Sequence, residues 1–511
     1  MKLVETACTY DCPDACGLLV EVDGQAIKIR GNPNHPITCG FVCQRIHRHP
    51  KRLVDPERIT TPLVRKDNKW VEIDWASALD LAAEKLQAAI DQHGPASVVH
   101  VSSGGSLGVK KQLVGHFFKS LGEVTTLHGG VCGDTGEAAQ RADFGETAGH
   151  DYTDLQNSRA IVLWGKNSAS NSVHLIPFVK ASRDRGVPVV LIEVLKTQTA
   201  NFADRFISVA PSGDGFLALA VLRYLHDQSK LDPAAITRCE NFAAFEQLLS
   251  GPDMRVEDLA GRAEVALADV EYLAELYTTA RPVATHLGWG MQRRCSGGKN
   301  IRCIDALAVL TSNVGIKGGG VTFTSWRRRG LDVSGLAHAT GRTIDMPTFG
   351  KDLAGLTDPR AQFVYISCAN PVAQFADSKK TAAALNQAGF VVLADAFLTD
   401  SADCADLFLP VSLMLEEDFD AVGSFNHHYV ARVRKACEPP EGVREDVWIV
   451  NELNRRLGRP TDPVLTDPQK AFDKMIAPWF EGSQNNYLRN PCQAEVPFSD
   501  KFSTASGKMK L

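Results

Sequence analysis

Four cysteines close to the start of the chain constrain its fold more than any other feature. Cys8, Cys12 and Cys16 stand in CTYDCPDACG, with three residues between each and the next. That spacing is too regular and too local for scattered core thiols. The strand-like runs LLVEVDG and AIKIRG follow, with Gly24 at the turn, and such a hairpin returns the chain so that GFVC carries Cys43 toward the first three. Four thiolates in one pocket suit a [4Fe–4S] cluster, because soft sulfur ligands stabilise iron and a loop lets four side chains point inward. A structural zinc site and coincidental thiols are the alternatives, although zinc sites usually pair their cysteines as two CxxC knuckles. Cys39 is a spare thiol beside Cys43 and a rival fourth ligand.

The remaining length is enough for several domains around a large core. Of 511 residues, 44% are hydrophobic and 23% charged, and 55 Lys and Arg against 60 Asp and Glu leave a net charge of −5. No global field therefore favours nucleic acid or an anionic membrane. Thirteen cysteines is an odd number for a secreted disulfide framework, and MKLVET has neither an apolar signal region nor twin arginines. A cytoplasmic location is expected. No apolar run approaches the roughly 18 residues that span a bilayer, so no direct membrane insertion is expected.

Along the chain, HRHPKRLVDPERITTPLVR is a basic, proline-punctuated connector that ends a small first domain near residue 58. Arg45 and Arg48 stand beside the last cysteine, either between a cluster and an anionic cofactor or simply solvated. From Asp74 the apolar period becomes helical, through Ala76, Leu79, Ala82, Ala83, Leu86 and Ile90, and Gly94 stops it. SVVHVSS then ends in GGSLG, the glycine-rich strand end at which such sheets bind ligands. In LHGGVCGDTGEAAQ, Cys132 lies between glycines and before a helix start, a setting that admits a bulky ligand and favours the thiolate. A core cysteine is the plain alternative.

Strand and helix signals alternate from 159 to 230, which predicts a parallel doubly wound sheet. Its strand ends carry Gly165 and Asn167, then Glu193 and Thr197, then Ser212, Gly213 and Asp214. A carboxylate at the end of the second strand suits a ribose or guanine edge, and the glycine-rich first end suits phosphate. No GxGxxG or Walker motif is present, so ordinary NAD or ATP binding is not supported. After strand VATHLGWG, Arg293, Arg294 and Lys299 either grip a second anionic group or are surface charges. The pattern recurs from 361, where QFVYISC ends at Asn370, FVVLAD ends at Asp395 and DLFLP closes at Pro410.

Taken in order, CTYDCPDACG with GFVC, the glycine-flanked Cys132, WGKNSASNSVHLIPF, APSGDG, SNVGIKGGG, CANP and SADCADLFLP resemble the molybdopterin oxidoreductase family, the dimethyl-sulfoxide-reductase-like enzymes. The resemblance implies molybdenum or tungsten held by two molybdopterin guanine dinucleotides, with a [4Fe–4S] cluster relaying electrons. It implies Cys8, Cys12, Cys16 and Cys43 as cluster ligands, favouring Cys43 over Cys39, and Cys132 as the protein ligand to the metal. Arg45 stands where the family usually has a lysine between cluster and pterin. Gly165, Asn167, Glu193, Thr197, Ser212, Gly213 and Asp214 would line one dinucleotide, with Gly290, Gln292 and Asn370 near the cofactor of the other half. Glu193 is one methylene longer than the family's common aspartate, and Gly133 stands where its formate dehydrogenases usually carry histidine.

The expected fold is α/β: a small N-terminal iron–sulfur lobe plus two doubly wound α/β domains. The lobe would be residues 1–58, with parts of 425–511 packed on it; one α/β domain would be 59–145 with 326–424, and the other, Rossmann-like, 146–325. SGKMKL resembles the junction after which the family continues into a β-rich domain covering the dinucleotides. That domain is therefore expected to be absent from the chain, truncated or supplied by a separate subunit. The leading functional expectation is an oxidoreductase that transfers an oxygen atom or hydride equivalent to or from a small molecule and exchanges electrons with a partner protein. A non-catalytic electron-transfer or assembly subunit and a non-redox hydratase are the alternatives.

Overall fold

The computed structural model describes residues 2–24 and 26–511, and its chain divides into two compact units. The first comprises residues 1–131, 330–423 and 429–492; the second comprises 132–329, 424–428 and 493–511.

The first unit starts with three antiparallel strands, Lys2–Ala7, Gly17–Asp23 and Ala26–Gly31, which are the anticipated hairpin and one strand more. Gly24 enters the turn at φ +63°, a left-handed conformation that glycine adopts at little cost. Next comes an eight-stranded sheet in the order Thr343–Asp345, Thr125–His128, Val98–Ser102, Phe363–Ser367, Val391–Asp395, Leu407–Pro410, Leu63–Lys66, Lys69–Glu72. The first six run parallel and the last two antiparallel. Its central strands are apolar on both faces because helices cover both, which is why Phe363–Ser367 is buried throughout. Asp74 caps the covering helix Trp75–His93 by accepting from Ser77 N at 2.8 Å, and Gly94 at φ +78° ends it. A third sheet, Asp420–Gly423, Tyr429–Val433 and Tyr487–Arg489, is antiparallel. Its Tyr487 hydroxyl donates to Thr6 O, and its ring meets His35 edge-on, so part of the 425–511 region packs on the iron–sulfur lobe.

The second unit is a five-stranded parallel sheet ordered Arg205–Ser208, Val189–Glu193, Ala160–Trp164, Val283–Leu287, Gly320–Thr322. The helix Gly297–Leu310 lies in its core and buries Ile301, Ile304, Leu307 and Leu310 completely, each such side chain contributing roughly 1.5–3 kcal/mol. Two boundaries differ from the sequence reading. The helix Asp134–Phe144 packs against Gly297–Leu310, so the unit begins at 132 instead of 146. The end of the chain, part of the region expected to pack on the lobe, instead sends Phe498 and Phe502 against Phe144 and pairs Met509–Lys510 with Cys239–Glu240. Those two rings supplied too sparse an apolar period to reveal this from sequence.

Candidate cofactor site

The cysteine loop is held by short-range geometry. Cys8 N donates to Cys16 O at 2.9 Å, and Cys43 stands at the N-terminus of the helix Gln44–His47. Burial pushes the Cys8 thiol up to about 12 and raises Cys12 and Cys16 further, and each also feels the charge of Cys43. Three of the thiols are thus desolvated, with Cys43 close enough for each to feel it, a setting in which a strong cation centre would favour thiolates. Cys39 is exposed, and its Sγ donates to Pro36 O at 3.3 Å. Among the described residues no group of three or more His, Cys, Asp and Glu could hold a single metal ion; ligands around a cluster stand farther apart than those around one zinc.

Beside this pocket lies a cavity of 420 Å³ within the first unit. Thr9, Tyr10 and Asp11 of the cysteine loop form one wall, and Ser106, Asn370 and Asp395 border it at the C-terminal ends of Val98–Ser102, Phe363–Ser367 and Val391–Asp395. Arg45 donates to Asp11 O at 3.1 Å and lies 5.1 Å from the Tyr10 ring centroid. The Tyr10 hydroxyl meets His49 Nδ1, and burial lowers His49 to about 3, keeping it neutral. Glu417, Asp420 and Asp446 close the opposite wall. Lys110 Nζ lies 3.1 Å from Glu417 and 3.0 Å from Glu445, and burial still pushes Asp420 up to about 6 and Asp446 to about 7.

In the second unit, Gly165 follows the strand Ala160–Trp164 at φ +61°, and Asn167 begins the turn Ser168–Asn171. Thr199 Oγ1 donates to Asn167 Oδ1 at 2.9 Å and accepts from Ala169 N at 3.1 Å. Glu193 ends its strand, raised by burial, with one oxygen accepting from Val194 N. Thr197 Oγ1 is buried without a partner. Asp214 accepts from Trp164 Nε1 at 2.9 Å, is raised by burial, and begins the helix Asp214–Asp227 after Ser212 and Gly213. Gly290 and Gln292, grouped by sequence with Asn370, follow the strand Val283–Leu287 of this same sheet, whereas Asn370 belongs to the other.

Cys132 stands one residue before the N-terminus of the helix Asp134–Phe144. Gln292 clamps this entry: its Nε2 donates to Cys132 O, and its Oε1 accepts from Gly136 N at 2.8 Å. Arg293, read as an anion grip or a surface charge, also donates to Cys132 O at 3.2 Å and lies 3.9 Å from Cys132 Sγ.

Sequence reasoning placed Asn370 and Asp395 at strand ends of the other sheet but missed Thr399, Ser401 and Asp406 beside them. VVLIEVLKTQTANFADRFISV and VVLADAFLTDSADCADLFLPV align without a gap, and the hydrogen bonds repeat with them. Ser401 Oγ donates to Asn370 Oδ1 at 2.7 Å and accepts from Val372 N at 3.2 Å, as Thr199 does on Asn167 and Ala169. Asp406 and Asp204 each accept from the first strand residue, Val391 and Val189. Asp395 matches Glu193, Thr399 matches Thr197, and Cys368 at φ +51° takes the place of Gly165. That internal alignment was the available signal.

A lobe carrying four cysteines and two largely parallel sheets whose strand-end loops share one hydrogen-bond pattern define the class of fold and site. The comparisons name the group. The chain matches the family model for molybdopterin oxidoreductase over residues 58–456 and that for the molybdopterin oxidoreductase Fe4S4 domain over residues 1–53, and it belongs to the molybdopterin oxidoreductase family. It is 35% identical over 525 residues to probable oxidoreductase YyaE of Bacillus subtilis, covering 100% of this chain and 78% of that one. It is 28% identical over 513 residues to an assimilatory nitrate reductase of Haloferax mediterranei, covering 93% and 70%. Acetylene hydratase from Pelobacter acetylenicus shares the fold, with a TM-score of 0.81 at 19% identity over 99% of this chain and 77% of that one. Family membership supports a 4Fe–4S cluster and molybdopterin. Among the described residues no helix is long and apolar enough to cross a membrane.

Proposed function

We propose that the protein is a molybdenum- or tungsten-dependent oxidoreductase that moves an oxygen atom or hydride equivalent to or from a small molecule. The observation that carries this is the doubled loop: Asn167 with Thr199 in one sheet, Asn370 with Ser401 in the other. Two equivalent sites call for two equivalent dinucleotides. Gly165, Asn167, Glu193, Thr197, Ser212, Gly213 and Asp214 would hold one guanine dinucleotide, and Asn370 with Asp395 and Thr399 the other. The residues fit such a group. Thr197 Oγ1 is an orphaned buried hydroxyl, the left-handed Gly165 lets a phosphate approach the backbone, and Glu193 and Asp395 offer acceptors to ribose hydroxyls or guanine N–H groups.

When bound, the metal supplies a two-electron change of oxidation state. Cys132 would hold it, with Gln292 and Arg293 fixing the loop through its backbone carbonyl. Cys8, Cys12, Cys16 and Cys43 would hold the cluster. Arg45 keeps positive charge between the cysteine loop and the cavity, and its planar guanidinium fixes direction better than an ammonium would. Asp446 offers an acceptor to the N–H groups of a pterin. YyaE and the nitrate reductase are redox proteins by name, which supports a redox reading over hydration. Elemental and nucleotide analysis of protein purified without oxygen tests the reading. About four irons per chain and two guanine nucleotides per molybdenum or tungsten are expected. Iron and sulfide without molybdenum, tungsten or guanine nucleotide would instead make the chain an electron-transfer or assembly scaffold.

A further inference from the structure

A second cavity of the first unit, of 620 Å³, is lined by Lys2, Leu3, Glu5, Arg432, Arg434, Lys435 and Asp473 among others. It contains none of the cysteines, strand-end loops or other groups used above, with one exception. Asp420 and Val433 line both this basin and the 420 Å³ cavity. Val433 is apolar, so Asp420 is the proton-bearing side chain common to the two walls. It is 5% exposed. Its Oδ1 accepts from Lys110 N at 2.8 Å and Ala421 N at 2.7 Å, which fixes the carboxyl in place. Its Oδ2 lies against Gly108, where a Cβ would collide with it, so a glycine there keeps the second oxygen's place open.

We propose that Asp420 is a proton relay between the outer basin and the cofactor cavity, a role that rests on the reading of that cavity given above. Two-electron chemistry at the cofactor takes up or releases protons, which reach it through titratable side chains or water. In the uptake direction the Asp420 O–H bond breaks as its proton bonds to a basic atom on the cavity side, and a new Asp420 O–H bond forms as hydronium in the basin loses a proton and becomes water. Its oxidation state does not change. The charged surroundings suit a group that returns to the same state after each transfer. Lys110 faces it as the compensating cation, Glu417 and Asp446 lie on the cavity side, and Glu5, Asp418, Asp473, Lys2, Arg432, Arg434 and Lys435 lie around the basin. Burial pushes the carboxyl up to about 6, where it exchanges protons near neutral pH.

The test uses the loaded protein, with dithionite as reductant and the metal-centre and cluster absorbances followed separately in H₂O and D₂O from pH 5 to 8. Wild type is expected to show metal-centre reduction that slows as pH rises through about 6 and carries a solvent isotope effect. Asp420→Asn is expected to lose about a hundredfold or more of that rate, within the range for one positioned proton-transfer group, and to lose the pH step. Cluster reduction, which moves only electrons, should not change. Asp420→Glu should restore the pH step, and azide, a small weak acid, should rescue Asp420→Asn. Leu3→Trp, which fills the basin without touching Asp420, should slow the same phase. A second readout needs no cofactor: the metal-free chain should show an infrared carboxyl band titrating near pH 6 that Asp420→Asn lacks. Unchanged metal-centre kinetics in both Asp420→Asn and Leu3→Trp would overturn the relay while leaving the cofactor reading intact. Protein that contains no molybdenum, tungsten or pterin would overturn the reading beneath it.

Discussion

The ion pair between Arg58 and Glu416 should decide whether the iron–sulfur lobe stays attached to the sheet behind it. Arg58 ends the segment that follows the cysteines. Its two terminal nitrogens donate to the two oxygens of Glu416 at 2.6 and 2.5 Å, and the side chains are 2% and 1% exposed. Arg58 also donates to Leu53 O at 3.2 Å, while Glu416 accepts from Leu413 N at 2.8 Å. Around them Met414, Leu415 and Ala436 share a core with Val4, Cys8, Cys16 and Leu53. Removing one partner strands a charge in this dry seam. Glu416→Gln is therefore expected to cost about 3–5 kcal/mol, whereas replacing both partners by Met should cost far less, because no charge is left behind. Thermal unfolding with iron content measured alongside checks this: the single variant should release iron at a lower temperature than wild type, and the double variant should recover most of the difference. A single variant that keeps both its melting temperature and its iron would refute the reasoning, as would a double variant no better than the single one.

Other expectations follow from the same geometry. Cys12→Ala should lose iron and destabilise the lobe, since a small metal-bearing domain draws folding energy from its metal, while Cys39→Ala should retain full iron by colorimetric assay. Cys132→Ala should keep the fold and the cluster but show one fewer sulfur at the metal by X-ray absorption, because its thiol is half-exposed and its backbone carbonyl, not its sulfur, makes the close contacts with Gln292 and Arg293. Asp143 and Asp305 face each other across two helices, and burial raises both carboxyls. The folded chain then binds more protons than the unfolded chain above the ordinary carboxylate range near pH 4, so this pair makes stability fall as pH rises through that window. Asp305→Asn should flatten the fall in denaturant midpoints measured from pH 4 to 8, and an unchanged slope would rule the pair out as its source.

Much of this architecture was legible because the signals were local. Buried parallel strands such as Ala160–Trp164 and Phe363–Ser367 must be apolar on both faces, so they stand out as short unbroken runs between turn residues. The cysteine spacing and the glycine-rich strand ends were equally local. What escaped was set by distant partners. Gln292 and Arg293 close on Cys132 only because the helix Gly297–Leu310 packs beside Asp134–Phe144, and no spacing in QRRC announces that. Phe498 and Phe502 belong to the second unit because Phe144 is there to meet them.

The doubled loop lies between these extremes, as does the placing of Gly290 and Gln292, which sequence grouped with Asn370 although they follow a strand of the other sheet. A strand end reads as ligand-binding by composition, but which sheet it joins depends on strand order. Val283–Leu287 lies beside Ala160–Trp164, so the loop after it serves the same sheet as Gly165 and Asn167. Aligning the chain with itself would have located the other set directly. Asn370 answers Asn167 and Ser401 answers Thr199 because each hydroxyl must accept from one backbone N–H and donate to one amide oxygen to hold the loop open. The pair of residue types recurs because the hydrogen-bonding task recurs. Cys368 in place of Gly165 is where the repetition breaks. A non-glycine residue at φ +51° costs of order 1 kcal/mol of backbone strain, and its thiol is raised by burial and by the nearby Asp446 and Glu417, which line the same cavity. The two loops share a scaffold but differ in the carboxyl groups set beside them: Asp446 and Glu417 near Cys368, Glu193 with Asp214 in the second unit.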